Sequence, residues 1–453
     1  MDSSPRDRLS HFFVIGARIF FALTIVLVPF RWRIVLFARP NSPVYSDYTD
    51  FLLFTPDIAT LATILCWAFS LILKRRTVSF GPAHVWVSLL GLTLAGWLSL
   101  ADSWDKPLTL YHAIRLSVLF VFFLCIVNEI RSPAWVVIPV GLQVLIQSAV
   151  AIGQSFLQRD LGLQAIGEYE LDPVWQGVSV LESGSIRFLR AYGLSDHPNI
   201  LGGCLAFALV ILFAAFVYQK ERVWNRLTAL VIIPASVALL LTFSRSAWIA
   251  FVAGSLLIVG IKAGQRNFAV LKRIAVLAFA CLLAMGPFIT RDLPYLSGRF
   301  NAGNSFAENR VEHGSLIQRM YLFESANRIF VDHSLTGVGL GASPVALKVT
   351  YPVFPMNYQP PHFTLLAAAL ETGIFGATFY FILMVMPLLI FFFQRKRLSA
   401  NSMLVACAAI LLSTLIVGLF DYYTWGYVSG RFWQWTAWGL WAVVLENHRY
   451  AVD

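Results

Sequence analysis

Apolar residues run along this chain in long blocks parted by short polar breaks, and the blocks approach or exceed the roughly 20 residues that a helix needs to cross a hydrocarbon core of about 30 Å. Twelve such blocks stand near 11–30, 51–73, 82–101, 108–128, 133–155, 199–218, 227–243, 246–263, 271–290, 363–393, 401–420 and 431–446. They predict an all-α polytopic membrane protein of about twelve transmembrane helices. Two breaks are much longer than the others, 156–198 and 291–362, and the first reads as polar and irregular. With no internal repeat and no low-complexity linker, residues 1–453 read as a single membrane domain.

The first block follows MDSSPRDRLS and has no small-residue cleavage site before Arg31, so it reads as a retained anchor. Composition agrees: 58% hydrophobic residues, 13% charged residues and a mean hydropathy of +0.71 exclude a soluble chain. Threading from a cytoplasmic N-terminus puts Lys74-Arg75-Arg76, Lys220/Arg222/Arg226, Lys262/Arg266/Lys272/Arg273 and Arg395-Lys396-Arg397 on the cytoplasmic side, as the positive-inside rule asks. Both termini then lie inside and both long segments outside. The external segments still carry arginines, which cost orientation energy and suggest an anion site at the outer surface.

All five cysteines (Cys66, Cys125, Cys204, Cys281, Cys407) fall in predicted spans, without a CxxC pair or Cys/His cluster, which argues against a disulfide framework and a zinc site. The pI of about 9.5 would suit nucleic acid, but the cations are split between short cytoplasmic loops and the external segments. Membrane lipids and anionic substrates are the expected partners, and nucleic acid is not.

Within 291–362, SLIQRMYLFESANRIF (315–330) has helical periodicity and predicts an amphipathic helix on the membrane surface or capping the bundle. Leu316, Met320, Phe323, Ala326 and Phe330 share its expected apolar face, Arg319 projects from the middle of that face, and Arg328 lies opposite. The turn-forming GVGLG (337–341) follows. Pro360-Pro361 then stops the loop and His362 opens the tenth span, near a helix N-terminus; Glu371, at membrane depth, needs a partner or a proton.

Each candidate side chain carries two readings. Arg190, after Arg187 and before Asp196-His197-Pro198-Asn199, is an interfacial loop arginine beside an Asx/Pro helix start, or part of an anion site. Arg245, in a short hairpin between spans seven and eight, is a snorkelling helix-end arginine or a guanidinium held to grip a phosphate bidentately, with Ser244 and Ser246 as nearby donors. His362 is an interfacial histidine or a general acid or base. His112 and Arg115 share a face and line a cavity behind the site. The turn LFDYYTWGYVSGRFWQW (419–435) is an aromatic belt, yet Asp421 and Arg431 flank it and orient each other or bind substrate.

Five segments, RAYGLSDHPNILGGCLAFAL, LTFSRSAWIAF, QRMYLFESANRIFVDHSLTGVGLG, PHFTLLAAALETGIFG and FDYYTW, resemble in order the bacterial O-antigen ligase and polymerase superfamily, over about 188–438. The resemblance implies a glycosyltransferase C-type fold in the bacterial inner membrane with its site on the periplasmic face. It implies a glycan donor carried on undecaprenyl pyrophosphate, an acceptor hydroxyl on a lipid A core, another glycolipid or a second lipid-linked glycan, and an inverting transfer. By the family pattern, Arg190 is the arginine ahead of the HPN stretch, Arg245 that of the SRGAW-like motif, Arg319 that of the loop helix and His362 the loop-end histidine. Many members carry His-Asn where this chain has His362-Phe363, which removes a polar neighbour.

Together these readings expect Arg190 and Arg245, with Arg319 assisting, to bind and stabilise the departing pyrophosphate while His362 positions or deprotonates the acceptor. Arg187, His197, Asn199, Asp421, Arg431 and Arg115 are expected to line the substrate site. The external segments offer no DxD motif, so the expected catalyst works without metal or cofactor, as a monomer. A transporter or flippase of lipid-linked sugars is the rival reading; it should show inverted repeats, interrupted helices and charges at the bilayer midplane.

Overall fold

The computed structural model describes residues 5–183, 186–300 and 310–450. Residues 301–309 of the expected external loop and the extreme termini lie outside the described residues. In chain order the elements are α1 (Pro5–Leu27), β1 (Arg33–Phe37), β2 (Phe51–Phe54), α2 (Thr55–Leu73), α3 (Ala83–Leu98), α4 (Lys106–Glu129), α5 (Ala134–Leu157), β3 (Val180–Ser183) and β4 (Ile186–Leu189). There follow α6 (Pro198–Tyr218), α7 (Arg222–Leu241), α8 (Arg245–Gly264), α9 (Phe268–Arg291), α10 (Leu293–Phe300), α11 (Arg310–Asp332) and α12 (Ser343–Thr350). The last are α13 (Thr364–Phe393), α14 (Arg395–Leu398), α15 (Ser402–Phe420), α16 (Tyr423–Gly426) and α17 (Val428–Tyr450). The protein is an all-α polytopic membrane protein, and its few strands form two antiparallel hairpins, β1–β2 and β3–β4.

Each of the twelve apolar blocks contains a helix, and ten helices among the described residues are long and apolar enough to cross a membrane. α3 has only 16 residues, about 24 Å of helix, and α17 completes the set. The bundle is built around α6, which carries no charged residue and packs against α5, α7, α8, α15 and α17. A helix apolar all round belongs in the interior. Its Gly202 lies where a Cβ would meet the Ser244 Cβ at 2.9 Å, so the α7–α8 hairpin rests directly on the α6 backbone. α9, by contrast, buries only Leu277 and Cys281 and turns the rest of its apolar surface outward.

Three features depart from the sequence expectations. α11 is longer than 315–330, and its buried face is Leu322, Ala326 and Ile329, while Leu316, Met320 and Phe323 are exposed. The buried stripe is rotated by roughly a third of a turn because α11 is apolar on two sides, and periodicity alone does not say which side meets protein. The segment 156–198 is not wholly irregular, since β3–β4 forms in it. The first residues of the predicted span 51–73 are not helix: Phe51–Phe54 form β2, which pairs with β1 in a hairpin between α1 and α2.

α13 is also interrupted. Gly373 takes φ 67 and ψ −170, and a Cβ there would lie 2.1 Å from the Leu335 carbonyl oxygen. The 334–341 stretch fills the break: Ile374 N–H donates to the Ser334 carbonyl and Val338 N–H to the Leu370 carbonyl. Only glycine combines that dihedral with so close an approach. Gly337, Gly339 and Gly341 all take positive φ, as the turn-forming GVGLG implied.

Candidate functional site

His362 and Asp421 meet where α13 starts and α15 ends. Thr364 Oγ1, in the first turn of α13, donates to the Asp421 carbonyl oxygen at 2.8 Å and ties these two ends together. The Asp421 carboxylate caps its own turn by accepting from Tyr422 N–H at 3.0 Å, and accepts from Asn199 Nδ2 at 2.9 Å. Asn199 is placed by α6, whose first residue is Pro198 and whose N-cap is His197; the His197 Nδ1 accepts the Asn199 N–H at 3.1 Å. The HPN stretch is therefore a helix start that also aims a polar side chain at Asp421.

Arg190 completes this chain of bonds. It is 5% exposed and donates from Nη2 to Asn199 Oδ1 at 2.6 Å, from Nη1 to Ser179 Oγ at 2.9 Å and from Nε to the Thr242 carbonyl at 2.8 Å. Thr242 precedes the hairpin that opens α8 with Arg245, so Arg190 links the α6 start to the Arg245 turn. Buried polar atoms of this kind hold geometry because leaving any one unpaired is costly.

Arg319 is arranged differently. It lies between the buried and exposed faces of α11, and its Nε is closed off from solvent without a hydrogen-bond partner among the described residues. Phe323, one turn on, packs against Phe363 at 6.4 Å and brings α11 to the start of α13. The His362 Nδ1 is likewise enclosed and unpartnered. Burial pushes the imidazole down to about 4, with Asp421 resisting and the charge of Arg319 assisting. Burial thus favours an uncharged imidazole at neutral pH, next to an arginine whose Nε has no hydrogen-bond partner among the described residues.

The remaining expected site residues divide. Arg187 lies on the β3–β4 hairpin, where Nη1 donates to the Val174 carbonyl at 2.8 Å and Nε stands 3.6 Å from Glu182. Arg115 grips Asp57 with both Nη2 contacts, at 2.8 and 2.7 Å, and also reaches Leu52 and Tyr111. Asp421 and Arg431 turn to different partners: Arg431 donates to the Trp425 carbonyl and lies over the Trp425 ring. Arg328 is exposed, as expected.

Glu371 has the partners its depth demanded. One carboxylate oxygen accepts from Ser343 Oγ at 2.7 Å; the other accepts from Gly341 N–H and Trp425 Nε1, each at 2.8 Å. It thereby joins the loop before α12 to α16 and to the turn carrying Asp421. The sequence offered Glu371 only as an isolated buried charge, and its role as a junction depends on the break at Gly373.

The site also has a roof that sequence reasoning missed. Arg31 and Arg33 donate to Asp196 Oδ1 at 2.9 and 2.6 Å, stapling the α1–α2 segment to the start of α6. Lys348 of α12 donates to Asn41 Oδ1 at 2.5 Å and to the Ser42 carbonyl at 2.6 Å. Tyr48 hydrogen-bonds the Tyr422 hydroxyl, and Tyr422 meets His362 edge-on. The only signal in the sequence was a pair of tyrosines, Tyr45 and Tyr48, in a short polar break.

Among the described residues no three His, Cys, Asp or Glu side chains gather as a metal cage. Among curated proteins, none matches the chain. Residues 230–381 match the family model described as O-antigen ligase, a stretch that contains Arg245, Arg319, His362 and the interrupted start of α13. That match covers about a third of the chain and, joined to the polytopic all-α fold, supports a relationship to the O-antigen ligase and polymerase superfamily of membrane proteins.

Proposed function

We propose that this protein is a membrane glycosyltransferase of the O-antigen ligase type. It transfers a glycan from undecaprenyl pyrophosphate to an acceptor hydroxyl, on a lipid A core or another surface glycolipid, at the periplasmic face of the bacterial inner membrane. The observation that carries the reading is the nearness of a His362 held uncharged by burial to Arg319, with the His362 Nδ1 and the Arg319 Nε both lacking a hydrogen-bond partner among the described residues.

In this reading the acceptor oxygen attacks the anomeric carbon and loses its proton to His362. The bond from that carbon to the pyrophosphate oxygen breaks, and polyprenyl pyrophosphate leaves with the electron pair. One displacement inverts the anomeric centre. Arg319 and Arg245 meet the departing charge, while Arg190 holds the Arg245 hairpin and the Asn199–Asp421 pair in place. Arginine forks suit this task because they pair bidentately with phosphate and need no metal.

Transfer from a purified lipid-linked donor tests the proposal. His362→Ala, Arg245→Ala and Arg319→Ala should each lose most activity while remaining folded, and wild-type rates in all three would sink it. EDTA should leave wild-type transfer intact, whereas loss restored by Mg²⁺ or Mn²⁺ would require a metal-assisted scheme instead.

A polymerase of the same superfamily uses the same steps with a lipid-linked glycan as acceptor, and product analysis separates the two. A transporter of lipid-linked sugars is favoured by one observation, the interrupted α13. It predicts movement of the intact donor across vesicles with no new glycosidic bond.

A further inference from the structure

The segment between α1 and α2 lies outside the family match at 230–381, yet it lays a file of aromatic rings onto His362. Tyr45 stands 6.5 Å from Tyr48 between ring centroids, Tyr48 stands 6.4 Å from Tyr422, and Tyr422 meets the His362 imidazole at 4.9 Å and 85°. Tyr427 flanks the file, 6.2 Å from Tyr48 and 6.0 Å from Tyr422. Exposure falls along it, from 51% at Tyr45 to 7% at Tyr422. The rings therefore lead from solvent down to the imidazole.

Polar groups accompany the rings. The Tyr422 hydroxyl, bonded to that of Tyr48, also donates to Gln359 Oε1 at 3.3 Å. Asp47 and Asp196 sit on either side of Arg33 and accept from it through Oδ1, at 2.5 and 2.6 Å. Among the described residues no donor reaches the Oδ2 of either carboxylate.

A purely structural role explains part of this arrangement. The ion pairs of Arg31 and Arg33 already staple the segment to α6, and one tyrosine hydroxyl bond would dock it on the α15–α16 turn. The exposed ring of Tyr45 and the two open carboxylate oxygens add nothing to a staple. They match what a sugar presents: apolar C–H faces that lie on aromatic rings, and hydroxyls that donate to carboxylate and amide oxygens.

We infer that Tyr45, Tyr48 and Tyr422, with Asp47, Asp196 and Gln359, form a saccharide track that leads a sugar chain to His362. The inference rests on the transfer reading above. The chain it holds is the glycan of either the acceptor or the donor, and the two differ in which substrate loses affinity when the track is damaged.

The first test needs no turnover. Saturation-transfer NMR on the purified full chain would use methyl glycosides of glucose, galactose, mannose and N-acetylglucosamine as probes, with glycerol as the blank. Wild type should transfer saturation to the ring protons of at least one glycoside and not to glycerol. Tyr45→Ala and Asp47→Asn should each weaken that signal at least about threefold. No signal in wild type, or an unchanged signal in both variants, overturns the track.

The second test is transfer kinetics with a lipid-linked donor, adding Tyr48→Phe, which keeps the ring and the fold and removes one hydroxyl. A raised acceptor KM with unchanged donor KM places the acceptor on the track; the reverse places the donor glycan there. Both constants unchanged in all three variants would overturn it. Sugar binding without any transfer by wild type would keep the track and remove the transfer reading.

Discussion

Cations crowd both ends of the bundle, but the two ends treat them differently. At the end away from His362, Lys74, Arg75, Lys220, Arg222, Lys396 and Arg397 are all exposed. Asp7 meets Lys74 at 2.8 Å with both side chains well exposed, a pair that contributes about 0–1 kcal/mol. At the His362 end, Arg190 and Arg431 are buried, Arg33 and Arg115 are held by aspartates, and the Arg319 Nε has no hydrogen-bond partner among the described residues. The first group needs only water and lipid headgroups. The second must be satisfied by protein or by a ligand, because an uncompensated charge in a low dielectric is expensive.

That contrast can be broken at several points. Arg190→Ala should do the most damage: it removes three hydrogen bonds, one buried and two partly buried, and takes a donor from Asn199 Oδ1, Ser179 Oγ and the Thr242 carbonyl. We expect a loss of about 3–5 kcal/mol, read as a large drop in folded yield and Tm in detergent. A variant as stable as wild type would mean that Arg190 is not a scaffold. Arg319→Ala should show the opposite pattern. It sacrifices no protein hydrogen bond among the described residues, so Tm should hold, while transfer falls by about 10²–10³, the usual loss of one charge-stabilising donor. Comparing the two variants separates a guanidinium that supports the site from one that serves the substrate.

A pH profile sharpens the picture further. Because burial holds His362 down to about 4, the imidazole is in its basic form throughout the neutral range. The kcat/KM for transfer should stay flat between about pH 6 and 8 and fall as pH drops towards 4, when the imidazole protonates. The stability contribution has the same sign: a folded-state value below the unfolded 6.5 favours the folded chain above 6.5, and the benefit is lost as pH falls through that window. A midpoint near 6.5 would place His362 in water. The smallest effect belongs to the far end, where Arg397→Ala should change Tm by no more than about 0.5 kcal/mol equivalent and leave transfer unaltered.

Much of the fold was legible because membrane helices announce themselves by length and apolarity, and every one of the twelve blocks contains a helix. Glu371 was legible as a charge that needed partners, and His362 as a residue at a helix mouth. The orientation of α11 was not, because Leu316, Met320 and Phe323 are as apolar as the residues it buries, and lipid and protein interior select the same chemistry. The break in α13 was hidden in ETGIFG, where Gly373 reads as an ordinary helix glycine until the 334–341 stretch is seen lying across it. Arg190, Arg245 and Arg319 looked alike as external arginines. Their partners, which set Arg190 apart from Arg319, come from segments tens of residues away.

Taken by itself, the sequence determined which segments leave water, the residue types available for anion and proton chemistry, and the resemblance to a family. Those follow from local composition and short motifs, since burial in a bilayer is decided helix by helix. Only the tertiary structure decided which arginines are satisfied and which are open, that Tyr48 touches Tyr422 across 374 positions of chain, and that the α1–α2 segment roofs His362. Such contacts depend on how helices pack and which loops they bring together, and a residue's own neighbours in sequence carry no record of them.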